Sequence, residues 1–215
     1  FPGEPTGLDN PEMLKMRWHH GHNSSIVNGI PRIGFMKGGK AAQWIDEDMA
    51  DNFLAKAQAY VKAHKGEPFF LYYAMQQPHV PRTPHQRFVG TSGMGPRGDV
   101  IIEADWCLGE FMSTLEEEGL LENTLIIYIH SDNGASAEGM NGTISELLAQ
   151  NSMASTVEQQ LEVLARDYGG LEAIGGPLLE NMYHHGWAWA GDTPFKSTKL
   201  IAAHFGGTRT PCVIH

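Results

Sequence analysis

Asn123-Thr124-Leu125-Ile126-Ile127-Tyr128-Ile129-His130-Ser131-Asp132-Asn133-Gly134 is an apolar, β-branched run that stops abruptly in a carboxylate and an amide. Its five consecutive apolar residues, opened by Asn-Thr and closed by Asn-Gly, predict a strand covered on both faces, as in a parallel α/β sheet. Ligands in such sheets gather beyond the carboxyl ends of the strands, where Asp132 and Asn133 would lie. Two adjacent oxygen donors on a tight turn suit a hard cation, Ca²⁺ or Mg²⁺, better than zinc. The alternative is a plain turn, since Asn and Gly both tolerate positive φ.

Working outward, the residues before this strand alternate helix and strand. Ile45, Met49, Phe53, Ala57 and Val61 recur every fourth residue, with Asp46, Glu47 and Asp48 in the first turn, so the pattern predicts a helix over 41–64. Gly66 ends it, and Phe69-Phe70-Leu71-Tyr72-Tyr73-Ala74-Met75 predicts a second buried strand. That strand exits into Gln76-Gln77-Pro78-His79-Val80-Pro81, where two prolines fix the backbone around a histidine. His79 there suits an anion-binding or catalytic imidazole, or simply the cap of a proline-rich loop. A further amphipathic helix is predicted over 99–118, with Ile101, Asp105, Leu108, Met112 and Leu115 on neighbouring turns and Gly119 closing it.

Beyond the central strand, helical patterning recurs over 144–150 and 157–168, with Val157, Leu161, Leu164 and Tyr168 as a stripe. Cys212-Val213-Ile214 predicts the start of a last strand. Residues 1–39 are rich in Gly, Pro, Asn and His and predict irregular structure, with at most a helical turn around Pro11–Trp18. His19, His20 and His22 lie in that segment, either as metal ligands or as solvated loop histidines.

Composition narrows the function classes. The formal net charge is −10 and no Lys/Arg run is present, which argues against nucleic acid as a partner. With 41% hydrophobic and 19% charged residues the chain has an ordinary globular balance. No apolar run is long enough to cross a bilayer. Cys107 and Cys212 have neither a CxxC nor a zinc-finger spacing and are expected to be buried free thiols. The start at Phe-Pro-Gly leads us to expect a segment of a longer polypeptide.

Several motifs stand in a specific order: Pro-Phe-Phe-Leu-Tyr-Tyr leading to Pro78-His79-Val80-Pro81; Asn-Thr-Leu-Ile-Ile-Tyr leading to Ser131-Asp132-Asn133-Gly134; Thr193-Pro194-Phe195-Lys196 with Lys199; and Gly206-Gly207-Thr208-Arg209-Thr210-Pro211. Together they resemble the type I sulfatases, the arylsulfatase family of the alkaline phosphatase-like superfamily, over nearly all of the chain. The portions before Gly119 and after Asn123 resemble different branches of it.

The resemblance implies an α/β fold, a mostly parallel sheet flanked by helices, here incomplete with the amino-terminal part missing. Residues 1–215 would form a partial catalytic domain: an irregular segment (1–40), a helix-strand-helix-strand core (41–134), and a helical insertion and loop leading to a final strand (135–215). It implies that Asp132 and Asn133 are metal ligands for a divalent cation, commonly calcium. His79 and Lys199 would contact the sulfate group of a sulfate ester substrate, and a periplasmic or secreted location would follow.

The physics of sulfate ester cleavage fits those roles, because charge on the transferring group and a proton for the leaving alcohol must both be supplied. Lys199 read from the residues alone could equally be a solvated surface charge. Gly206-Gly207 is expected to shape a turn.

The departures are equally specific. The family's formylglycine nucleophile arises from a Cys/Ser-x-Pro-x-Arg motif, and neither Cys107-Leu108-Gly109 nor Cys212-Val213-Ile214 fits it. The paired aspartates that complete the family's metal site are also absent from the sequence. The expectation is a sulfatase-derived chain without catalytic competence by itself. Two alternatives stay open: a phosphodiesterase or phosphonate hydrolase of the same superfamily, drawing on His184, His185 and His204, and a non-catalytic α/β binding module.

Overall fold

The 16 residues of α1 (Met49–His64) and the 23 of α2 (Gly95–Glu117) pack against each other and carry the first half of the chain. The computed structural model describes residues 46–215 apart from 81, 143, 151–154, 177 and 180. The readings made for the segment before Asp46, including His19, His20 and His22, therefore lie outside the described residues, as does Pro81. The described residues divide into two compact units, the first running to Glu122 and including Gly175–Glu180, the second comprising Asn123–Ile174 and Asn181–His215.

In the first unit, α1 buries Ala50, Leu54, Ala57 and Val61. Ala57 and Val61 are as predicted, but the first two turns bury Ala50 and Leu54 in place of Met49 and Phe53: Phe53 is 41% exposed, while Ala50 and Ala57 supply the small surface on which a second helix can rest closely. The core cluster joins Ala50 and Leu54 to Cys107 of α2, with Met75, Trp106 and Phe111 packed around it. Gln58 Nε2 donates to the buried Thr114 hydroxyl at 2.8 Å, a polar tie between the same helices.

Helix α2 begins four residues before its predicted start because Pro96 sits in its first turn, where a missing N–H costs nothing. Its end is as predicted: Gly119 takes φ +68, its N–H bonds Glu116 O at 2.9 Å, and the Leu120 N–H bonds Leu115 O at 2.8 Å, closing a Schellman motif. Its buried face is Val100, Glu103, Ala104, Cys107, Thr114 and Leu115, so Ile101 and Asp105 of the predicted stripe point outward.

The segment Phe69–Met75 is extended but belongs to no ladder among the described residues. The prediction of a buried strand is corrected, because only one side is covered. Phe69, Leu71, Tyr73 and Met75 are half-buried and Phe70, Tyr72 and Ala74 exposed, the period of a strand with one covered face. Tyr60 meets Phe69 edge-on and Tyr73 meets Phe111, which accounts for the covered side.

The second unit holds the sheet. β1 (Ile127–Ile129) pairs with β2 (Cys212–Ile214) in antiparallel register, Tyr128 opposite Val213. This is the described residues' whole sheet, and it differs from the mostly parallel one expected. Nor is the central strand covered on both faces: Leu125, Ile127, Ile129 and Val213 are all more than half exposed, since two strands alone provide no second layer.

The unit also contains α3 (Ser145–Gln150), α4 (Val157–Val163) running into a π-turn at Leu164–Tyr168, α5 (His185–Asp192) and α6 (Phe205–Thr208). Thr156 starts α4 with a capping box shared with Gln159. The buried positions there are Gln160, Val163 and Leu164, whereas Val157 and Leu161 of the predicted stripe are exposed. No helix among the described residues is long and apolar enough to cross a membrane.

Candidate functional site

His79 belongs to the first unit. Its N–H closes a turn on Gln76 O at 3.0 Å, and the residue is exposed while Val80 beside it is buried. Nδ1 lies 2.8 Å from Val80 O. A carbonyl can only accept, so Nδ1 carries a hydrogen.

The loop around His79 is held from α2 by a residue the sequence patterns did not single out. Glu103 is 2% exposed, and its two carboxylate oxygens accept from Gln77 Nε2 at 3.0 Å and His85 N at 2.9 Å. A polar position inside an apolar helix face was the available signal.

Asp132, Asn133 and Lys199 belong to the second unit. Asp132 follows the strand end as predicted and is exposed. The Asn133 amide donates to Asp132 Oδ1, so the pair satisfies itself in a turn. The next residues tie the loop down: Gly134 N bonds Gly207 O at 3.1 Å, Ala135 N bonds Asp192 Oδ1 at 3.2 Å, and Lys199 N bonds Ala135 O at 3.0 Å. A Cβ on Gly134 would overlap the Gly206 carbonyl, so these backbones approach as only glycine permits. Asp192 Oδ2 is buried without a hydrogen-bond partner.

Lys199 is thereby brought to the loop that carries Asp132 and Asn133. Ser197 at φ +69 and Leu200 at φ +84 bracket it in left-handed backbone, a conformation that costs a non-glycine residue about 1–3 kcal/mol and persists only where packing dictates it. Its ammonium stands 3.3 Å from each carboxylate oxygen of Glu138. Lys199 and Glu138 line an open cleft of about 340 Å³, whose other walls are Ala137, Met140, Thr198, Leu200 and Ile201. Lys199 is thus a partly exposed, ion-paired lysine at the cleft.

The described residues do not amount to a cation site. Asp132 and Asn133 give two adjacent oxygen donors, and no group of three or more His, Cys, Asp and Glu side chains stands in metal-binding geometry among the described residues. Calcium takes six to eight oxygens. His184 and His185 stack at 4.4 Å, but their Nδ1 atoms serve the backbone: His184 accepts from Gly186 N at 3.0 Å and His185 meets Met140 O at 2.7 Å.

Comparison with known proteins adds to this geometry. A family model described as sulfatase matches residues 7–215. The chain is 55% identical over 130 residues to an N-acetylgalactosamine-6-O-sulfatase of Bacteroides thetaiotaomicron, covering 60% of this chain and 25% of that protein. It is 43% identical over 86 residues to arylsulfatase A of Bos taurus, covering 40% of this chain and 17% of the relative. A solved chain from Bacteroides thetaiotaomicron, described under the metabolism of multiple glycosaminoglycans, superposes with a TM-score of 0.52 at 50% identity, over 64% of this chain and 28% of its own. The chain thus spans a quarter or less of the length of these curated relatives.

Proposed function

The chain belongs to the sulfatase family, and on that premise we propose that it is part of a sulfuric ester hydrolase of the arylsulfatase type. The alkaline phosphatase-like fold comes with the family. That the extended segment 69–75 and β1 take places in a mostly parallel sheet is part of the proposal.

Lys199 would hold sulfate oxygens by its ammonium, and His79, by its match to the family motif, would have the role of contacting a sulfate group and transferring a proton to a leaving alcohol. Proton donation requires the ring in its charged form, because the neutral tautomer set by Val80 O leaves Nε2 bare. The family uses a divalent cation, to which Asp132 and Asn133 would contribute oxygen ligands. Two donors fall short of a complete site.

The observation that supports this reading is the Lys199 N–H bond to Ala135 O, which joins Lys199 to the loop that bears Asp132 and Asn133. The alternative, a phosphodiesterase or phosphonate hydrolase, would draw on His184, His185 and His204; the sulfate reading is preferred because the family model and the relatives are sulfatases. A sulfated N-acetylgalactosamine is the first substrate class to test, on the strength of the 55% identity to a protein named for that activity.

The sequence contains no Cys/Ser-x-Pro-x-Arg motif, so the 215-residue chain is proposed to bind without turning over. Calorimetric titration with inorganic sulfate tests this. Sulfate binding lost in Lys199→Ala and no hydrolysis of 4-nitrophenyl sulfate are the expected results. Hydrolysis that depends on Lys199, or sulfate binding indifferent to it, would overturn the reading.

A further inference from the structure

Lys199 is not free to meet an anion as it stands. Its ammonium lies equidistant from both oxygens of Glu138, at 3.3 Å each, and the two side chains are 22% and 21% exposed, so water screens the pair only in part. Glu138 is itself held. The Ser136 hydroxyl donates to Glu138 Oε2 and accepts the Glu138 N–H at 3.3 Å, folding the short segment 136–138 into a strap that aims the carboxylate at the lysine. The remaining cleft walls, Ala137, Met140, Thr198, Leu200 and Ile201, carry no charge. With its cation neutralised, the cleft offers an incoming anion no net attraction.

We propose that Glu138 is a built-in counter-anion for Lys199, which a sulfate group must displace to bind, so that Glu138 sets the anion affinity of the cleft. The inference rests on the sulfate-binding role proposed above for Lys199. Two carboxylate oxygens straddling one ammonium make the same kind of contacts that two oxygens of a sulfate ester would make. Binding exchanges one charge-assisted pair for another, and the swing of Glu138 into solvent accompanies it. Affinity is then a difference between two anions for one cation rather than the full strength of a lysine contact. Monoanions that offer no more than a carboxylate would compete poorly, whereas a group with three acceptor oxygens keeps a contact for the third ammonium hydrogen.

The experiment titrates inorganic sulfate into the 215-residue chain by calorimetry at fixed ionic strength, comparing wild type with Glu138→Gln, Ser136→Ala, Lys199→Met and Glu138→Gln/Lys199→Met. Glu138→Gln is expected to bind sulfate about tenfold more tightly, equivalent to about 1.4 kcal/mol. Ser136→Ala, which leaves every charge in place and only loosens the strap, shifts affinity the same way by a smaller factor and carries the test independently of how well Glu138→Gln folds. Lys199→Met abolishes binding in both backgrounds. If Glu138→Gln and Ser136→Ala bind no more tightly than wild type while Lys199→Met still loses sulfate, the counter-anion proposal is wrong and the lysine's role stands. Sulfate binding that survives Lys199→Met removes the role and the proposal together.

Discussion

The carboxylate of Glu103 accepts the backbone N–H of His85 at 2.9 Å from within α2, and its second oxygen accepts the Gln77 amide at 3.0 Å. One buried side chain therefore clamps both ends of the loop that presents His79. Packing alone does not hold that loop, since His79 itself is exposed.

Glu103→Ala should be among the most damaging single changes in the first unit. It leaves a part-buried backbone N–H and a part-buried amide without their acceptor, which costs up to about 1–3 kcal/mol for each stranded group and less where water reaches it. Glu103→Gln keeps one acceptor oxygen, and the Gln77 amide can turn its own oxygen to the new donor, so it should cost about 1 kcal/mol. Urea unfolding measures both. Hydrogen exchange should show faster exchange at His79 N in the alanine variant, and an unchanged rate would mean the clamp does not order the loop.

Asp99 gives the same unit an acid limit. It is 2% exposed, and burial alone would raise its carboxyl. Hydrogen bonds from Ser92 Oγ at 2.7 Å, Gly90 N at 2.9 Å and Ser92 N at 3.0 Å outweigh that and hold it below the ordinary carboxylate value. A folded-state value below the unfolded one means the contribution is fully present above the unfolded value, near about pH 4, and is lost as pH falls through the folded one. The stability gap between wild type and Asp99→Asn should be flat at about 2 kcal/mol above about pH 5 and shrink below about pH 4. Denaturation series at pH 7, 5, 4 and 3 check the trend; a gap that widens in acid would contradict it.

Where α1 and α2 end was legible in the sequence; where they begin and which face they bury was less so. Gly119 declares the end of α2 because only glycine takes φ +68 cheaply. The burial of Ala50 and Leu54 in preference to Phe53 follows from how closely α2 approaches, which no pattern within α1 records. The strand ends were legible from Asp132 and Cys212, but the covering of β1 depends on layers absent from two paired strands. At the site, Lys199 and the Asp132–Asn133 turn follow from motif order. Glu138 does not, since its partner lies 61 residues away and the pairing is made by the fold.

The two thiols should separate cleanly. Cys107 is fully buried in the core cluster, and burial first of all, with the Glu103 and Asp51 charges behind it, pushes its thiol up to about 12. Cys212 in β2 is exposed, contrary to the expectation that both are buried. A chromogenic disulfide reagent at pH 8 should titrate one thiol in the native chain and two in guanidinium, because the thiolate is the reactive form. Cys212→Ser should leave none reactive natively. Two fast thiols in the wild type would mean that the α1–α2 core opens in solution.

Gly134→Ala tests whether the close backbone approach at the cleft is what places Lys199. The added methyl would overlap the Gly206 carbonyl, a backbone atom that cannot swing aside, and the Gly134 N–H bond to Gly207 O would have to lengthen. Overpacking of this kind costs about 1–3 kcal/mol or more. The neighbouring Ala135 N–H to Asp192 and Ala135 O to Lys199 N bonds lie in the same loop, so the lysine should shift with it. Gly191→Ala is the matched control, since nothing lies within 4 Å of its Cβ and the residue is inside α5, where alanine is favoured by up to about 1 kcal/mol. The expected result is a lower urea midpoint and weakened sulfate binding for Gly134→Ala, with Gly191→Ala equal to or more stable than wild type. Loss of stability with sulfate binding intact would show that Lys199 is placed by Ser197 and Leu200 rather than by the glycine contact.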